Sequence, residues 1–307
     1  MGNNLNYLNH DFSIVISVGR EKRKGKILPY HFIKMKKQGK KIVMVTAYDY
    51  FQARIADEAG IDGILVGDSL GMVVMGYRST LSVTIDEIAH HTKAVLNANP
   101  RALVVADMPF MTYEVSREEA LRNAGRLIKL GADAVKLEGG EEIADTVEAL
   151  VNAGIPVMGH VGLNPQRHLV VGGYRLKGKS AEDAVKILDD AKALEEAGAF
   201  AIIIEFTAAE VAAEITKRLR IPTICIGSGP YCDGQILVFH DVVGLNPEPP
   251  PFVKKYAQVY ELIMDALSAF KVEVENGAFP DKGRFYRMKE SELERFRELI
   301  KRREAKD

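Results

Sequence analysis

The chain has 307 residues, 47% hydrophobic and 27% charged, with 41 Lys and Arg against 42 Asp and Glu. This is the composition of a globular protein with a sizeable core, and a formal net charge of −1 gives no global drive toward nucleic acid or anionic membrane. Two cysteines, Cys225 and Cys232, match no zinc spacing and allow at most one bridge, so a reducing cytoplasm is expected.

Residues 1–26 precede any regular pattern. Their longest apolar patch, residues 12–18, is too short for a signal-peptide core or a membrane span. Lys and Arg crowd residues 20–26 and 34–41 without interleaved aromatics, which favours a solvated or subunit-contacting segment over a nucleic-acid arm. From Lys41 onward, short β-branched runs alternate with amphipathic stretches. The predicted strands are 42–46, 63–67, 102–106, 134–137, 156–160, 201–205, 223–227 and 235–240.

Helix starts and stops separate the strands. Thr84-x-x-Glu87, Ser116-x-x-Glu119 and Thr207-x-x-Glu210 fit capping boxes. Gly60, Gly131, Gly154 and Gly198 fall where a helix should end in a left-handed residue just before a strand. Eight strands joined by helices predict a closed (βα)8 barrel, because an open dinucleotide-binding sheet would need a Gly-x-Gly-x-x-Gly turn after its first strand. The barrel is expected over 27–280, with an N-terminal extension at 1–26 and a helical tail at 281–307.

A barrel keeps its chemistry at the C-terminal ends of its strands. Those ends carry Thr46-Tyr48-Asp49, Asp68-Ser69, Asp107, Lys136-Glu138, His160, Glu205 and Gly227-Ser228-Gly229. Any one of these acids could be a helix cap. Three carboxylates at the end of one sheet, Asp68, Asp107 and Glu138, can instead hold a hard divalent metal through oxygen. Other conspicuous residues have plainer explanations: His90-His91 as a helix-surface pair, Cys225 as core, and His240-Asp241 as the end of the last strand, a minor site candidate. No Walker loop, His-Glu-x-x-His or Gly-x-Ser-x-Gly motif occurs.

Several strings also resemble ketopantoate hydroxymethyltransferases. They include Val45-Thr46-Ala47-Tyr48-Asp49, Val66-Gly67-Asp68-Ser69-Leu70-Gly71 and Ala106-Asp107-Met108-Pro109-Phe110. Further along come Val135-Lys136-Leu137-Glu138-Gly139-Gly140, Gly159-His160-Val161-Gly162 and Asp233-Gly234-Gln235-Ile236-Leu237-Val238. The resemblance runs in chain order over about residues 27–280. It implies a TIM-type α/β barrel of the phosphoenolpyruvate/pyruvate-binding kind. The implied reaction moves a one-carbon unit from 5,10-methylenetetrahydrofolate, or a related pterin, to 3-methyl-2-oxobutanoate, giving 2-dehydropantoate for pantothenate and coenzyme A synthesis.

By the same resemblance, one Mg2+ per subunit is held by Asp68, Asp107 and Glu138. The oxo acid is bound by Asp68, Ser69, Asp107 and Lys136, with His160 beside it, and Glu205 is the proton acceptor. A homo-oligomer is implied, a decamer of two pentameric rings. The chain departs from the family pattern at Phe206-Thr207-Ala208, where Cys-Val-Pro is usual, and at Pro165-Gln166-Arg167-His168. The enzymatic rival is a metal-dependent carbon–carbon lyase or mutase of the phosphoenolpyruvate mutase/isocitrate lyase type. The rival from another class is a non-catalytic ligand-binding barrel, which has no use for both a metal triad and a separate base.

Overall fold

Alternation of side chains across each strand builds the wall of the molecule. The structure, a computed structural model, describes residues 25–305; the basic run at 20–24 and the apolar patch at 12–18 lie outside them. The chain begins with α1 (Pro29–Lys37), β1 (Ile42–Thr46), α2 (Tyr50–Glu58), β2 (Gly63–Val66), α3 (Leu70–Val73) and α4 (Ile85–Leu96). It continues through β3 (Leu103–Asp107), α5 (Arg117–Leu130), β4 (Ala134–Glu138), α6 (Ala144–Asn152) and β5 (Val157–Gly162). Then come α7 (His168–Val171), α8 (Ala181–Glu196), β6 (Ala201–Glu205), α9 (Ala209–Arg218) and β7 (Thr223–Ile226). The last elements are β8 (Gly234–Leu237), α10 (Phe239–Val242), α11 (Val259–Glu275) and α12 (Glu290–Glu304).

Strands β1 to β8 pair in parallel with their sequence neighbours, and β8 pairs back with β1, closing the expected barrel. Every second residue points inward. Met44, Leu65, Val105, Ala134, Met158, Ala201, Ile203, Ile224 and Ile236 form one buried cluster, joined by Phe32 and Met35 of α1 at the N-terminal end. Gly63 is required there: a Cβ on it would meet Phe32 Cζ and Met44 Cε, each at 2.9 Å. A second layer, with Val135, Leu137, Ile202 and Ile204 facing Leu127, Leu150 and Leu194, seals the strands against the helices.

The helix punctuation follows the sequence in full at Thr84, by half of the expected box at Ser116, and not at Thr207. Thr84 and Glu87 make the full reciprocal box, and Ser116 Oγ accepts from Glu119 N at 3.1 Å. Thr207 is no cap: α9 starts after Ala208, and Thr207 Oγ1 donates to Glu205 O at 2.8 Å. Gly60, Gly131, Gly154 and Gly198 all have positive φ, as helix stops should.

The eighth strand is shorter than the expected 235–240. Pairing stops at Leu237, and the N–H groups of Asp241 and Val242 turn back to Val238 O, making a single helical turn instead. Between β7 and β8 there is no helix. The crossover turns at Gly227 and Gly229, with φ of +63° and +82°. Cys225 and Cys232, both fully buried, are joined by a disulfide across it.

The chain divides into two compact units, Met1–Lys255 and Tyr256–Asp307. The sequence reading runs the barrel to 280, whereas contacts place α11 in the second unit with α12. None of the residues of α11 or α12 is buried. Among the described residues no helix is long and apolar enough to cross a membrane.

Candidate functional site

A cavity of about 730 Å³ opens at the C-terminal end of the barrel, and Asp68, Ser69, Asp107, Lys136, Glu138, His160 and Glu205 all line it. Strand register brings them together. Asp107 lies opposite Lys136, Glu138 opposite His160, and Gly162 opposite Glu205. Lys136 and Glu138 are two apart on β4, so both face inward while Leu137 packs outward.

Lys136 is the hub. Its Nζ donates to Asp107 Oδ1 at 2.8 Å and Oδ2 at 3.0 Å, and to Glu138 Oε1 at 3.2 Å. Burial opposes its charge, but Asp107, Glu138 and Asp68 outweigh that and hold its pKa above the usual lysine value. Asp68 N donates to Asp107 Oδ2 at 3.0 Å. The carboxyl of Asp68 is pushed well above the usual range by burial, then by the charges of Asp107 and Glu138. Ser69 Oγ sits 2.8 Å from the hydroxyl of buried Tyr48.

His160 links this cluster to Glu205. Its Nε2 faces two oxygens, Leu163 O at 2.9 Å and Glu205 Oε2 at 3.3 Å, which assigns the proton to Nε2. Its Nδ1 is buried without a hydrogen-bond partner, 3.9 Å from Glu138 Oε1. Glu205 is the more open of the acids, with 19% of its side chain exposed.

Three buried carboxyl groups around one ammonium bring more acid than the lysine neutralises. Hard oxygen donors in that excess suit a divalent cation. The side chains are not a ready chelate, because Lys136 Nζ stands among them. Among the described residues no group of three His, Cys, Asp or Glu is arranged to hold a metal. The donor set therefore fits the ion by chemistry, with places left for oxygens the protein does not provide.

Other strand-end residues turn out to be scaffold. Asp49 caps α2, accepting from Gln52 N at 2.8 Å. Thr46 Oγ1 accepts from Phe239 N at 3.0 Å. Ser228 Oγ accepts from Thr207 N and donates to Ile204 O, fixing the turn after β7. His91 is more than a surface residue, since its Nδ1 lies 2.6 Å from Tyr48 O. His240 is buried, and its ring lies 5.6 Å from that of Tyr48.

Two residues of the site, Gln166 and Tyr174, escape a reading of strand ends, and a third, Asp241, was only a minor candidate. Gln166 binds both sides of the acid cluster, donating from Nε2 to Asp68 Oδ2 at 2.9 Å and from N to Glu138 Oε2 at 3.0 Å. Tyr174, on the segment after α7, feels burial first and then the charges of Glu205, Asp68 and Glu138, which raise its pKa. Asp241 lines the cavity from α10, where burial raises its carboxyl and Asn246 partly offsets the shift. The only signal for Asp241 was its place beyond the last strand; Gln166 stood out as a departure from the family pattern.

Comparison with known proteins agrees with this geometry. A family profile described as ketopantoate hydroxymethyltransferase matches residues 26–282. A 3-methyl-2-oxobutanoate hydroxymethyltransferase of Hyperthermus butylicus is 57% identical over 282 residues, covering 92% of this chain and 96% of its own. One from Pyrobaculum aerophilum is 62% identical over 243 residues, covering 79% and 93%. Among solved structures, a phosphonopyruvate hydrolase complex with oxalate and Mg++ has a TM-score of 0.56 at 14% identity, covering 91% of this chain and 98% of its own. A 2,3-dimethylmalate lyase of the PEP mutase/isocitrate lyase superfamily has a TM-score of 0.53 at 17% identity, covering 91% and 97%. At those identities the solved structures speak for the barrel alone.

Proposed function

The chain belongs to the ketopantoate hydroxymethyltransferase family and is an enzyme of that activity, and from this premise we propose how its own residues carry the reaction. The hydroxymethyl unit comes from 5,10-methylenetetrahydrofolate or a related pterin and goes to C3 of 3-methyl-2-oxobutanoate. The product, 2-dehydropantoate, feeds pantothenate and coenzyme A synthesis.

The observation that carries the proposal is the position of Glu205. It faces the same cavity as the acid cluster, yet stands apart from Lys136, with His160 Nε2 at 3.3 Å as its contact. A carboxylate that is not neutralised by the lysine is free to take a proton. Lys136 binds the substrate carboxylate, Ser69 orients it, and Glu205 removes the proton from C3. The Nε2–H of His160 is held by Leu163 O, which keeps the ring beside Glu205 Oε2. Mg2+, when bound by Asp68, Asp107 and Glu138, supplies Lewis-acid stabilisation of charge developing on the keto oxygen.

A lyase or mutase reading has less support here. Such enzymes place a reactive cysteine on a loop near Lys and Gly-His, whereas both cysteines of this chain are tied together at β7–β8. Incubating the purified protein with both substrates and Mg2+ should yield 2-dehydropantoate, and EDTA should abolish it. Product that is unaffected by EDTA would remove the metal from the scheme, and no product at all would overturn the reading.

A further inference from the structure

Strand pairing fixes the barrel wall but not the reach between the side chains at its mouth. Asp68 follows β2 and Glu138 ends β4, with β3 between those strands, so no ladder bond sets the distance between the two acids. One residue bonds to both. Gln166 lies in the short helical turn Pro165–Arg167 after β5. Its side-chain Nε2 donates to Asp68 Oδ2 at 2.9 Å, and its backbone N donates to Glu138 Oε2 at 3.0 Å. The acids line the cavity, whereas Gln166, 3% exposed, is not part of the lining and stands behind them.

A primary amide can be seated either way round, and here its direction is set. The remaining Nε2 hydrogen goes to Met108 O at 3.1 Å, and Oε1 lies 2.8 Å from the hydroxyl of Tyr113. Turned over, Oε1 would meet Met108 O, which has no hydrogen to give. Tyr113 is itself buried, and its hydroxyl also lies 2.9 Å from Glu138 O and accepts from Glu138 N at 3.2 Å. It therefore ties the amide to the backbone of the same glutamate whose carboxylate the Gln166 N–H holds. The turn is braced in addition: Arg167 N donates to Asn164 O at 2.9 Å, and the Arg167 guanidinium pairs with Glu142 at 2.7 Å. A residue that only pinned this turn to the barrel would need backbone partners alone. Gln166 ends on carboxyl groups from two strands.

We propose that Gln166 is a positioning residue for the divalent cation, setting the spacing and orientation of Asp68 and Glu138, with Tyr113 fixing the direction of its amide. The inference rests on the reading of Asp68, Asp107 and Glu138 as the Mg2+ set. The chemistry of the clamp suits that task. A neutral amide holds a carboxylate by a hydrogen bond without cancelling its charge, whereas a second lysine or an arginine would neutralise acid that the cation needs. Hydrogen-bond partners that orient metal-binding side chains matter nearly as much as the ligands, and their loss weakens affinity by about 10- to 100-fold.

Mn2+ titration of the protein without substrates, followed by water-proton relaxation, reads the cation site apart from turnover. Gln166→Met keeps the length of the side chain and removes its amide, and it should weaken Mn2+ binding by about 10- to 100-fold. Tyr113→Phe should weaken it several-fold, because the amide loses the partner of its Oε1. In product assays, high metal concentration should recover most of the rate that Gln166→Met loses, which it would not do for a loss of packing or of a proton-transfer group. Wild-type Mn2+ affinity in both variants overturns the proposal, as does a rate that excess metal leaves unrecovered. If Gln166→Met does not fold, Tyr113→Phe decides the matter, since it removes one hydroxyl and leaves the ring in place. Wild-type protein that binds no Mn2+ fails the metal reading itself, whereas wild-type binding with unaffected variants fails the clamp alone.

Discussion

Glu205 and Lys136 face one cavity, and the different roles proposed for them predict different losses in their variants. Glu205→Gln should keep oxo-acid and metal binding but lose C3 proton exchange by at least about 100-fold, the usual scale of a general base. Deuterium uptake at C3 without pterin reads that step alone, and exchange at the wild-type rate would leave His160 as the remaining candidate. Lys136→Ala should raise KM for the oxo acid with less effect on metal affinity. Asp68→Asn and Asp107→Asn should each weaken Mn2+ binding, followed by water-proton relaxation, because each removes one charged oxygen from the cluster without changing side-chain volume. The acids were legible because each ends a buried apolar run, where a charge has no structural reason to be. Gln166 and Tyr174 were not, and Asp241 was only a minor candidate, because they sit on segments that come to the site only when the chain folds back over the barrel mouth.

Elements show the same division between local and tertiary causes. The capping box at Thr84 was readable because its bonds span three residues. It gains a partner the sequence does not announce, Tyr77, whose hydroxyl donates to Glu87 Oε1 at 2.6 Å. That bond first, then the backbone N–H of Thr84, holds the Glu87 carboxyl below its ordinary pKa. A depressed folded value means the stabilisation is complete above the unfolded pKa and disappears as pH falls through the folded one. Glu87→Gln keeps the box but loses its charge, so it should cost about 0.5 kcal/mol near neutrality, the scale of an acid at a helix N-terminus, and the difference from wild type should shrink in urea titrations at acid pH. The eighth strand was over-extended because Val238, Phe239 and His240 continue an apolar run, while the backbone turns where β1 offers no further partner. The disulfide was likewise only permitted by the sequence. Closing a short loop, it should stabilise by about 2 to 3 kcal/mol, so Cys225→Ser with Cys232→Ser should lower the urea midpoint. An unchanged midpoint would show that the buried crossover packs equally well without the bond.

At the scale of the whole molecule, each compact unit carries exposed apolar surface. The β7–β8 crossover has no helix and β8 is followed by a single helical turn, so Val43 of β1 is 46% exposed and Gln235 of β8 is exposed as well. In the second unit, α11 presents Tyr260, Leu262, Ile263, Met264, Leu267 and Phe270 with none buried. Apolar surface of that extent on a folded protein marks an interface. A homo-oligomer, with two pentameric rings as the assembly the family resemblance implies, is the expected cover for α11. Sedimentation at micromolar concentration should then give a large assembly, and Leu267→Glu should shift it to smaller species. Because α11 lies outside the Met1–Lys255 unit, that variant should leave the barrel's far-ultraviolet dichroism intact while apolar-dye binding rises. Monomeric wild-type protein with an unreactive α11 would mean that the helix is covered by something other than a copy of this chain.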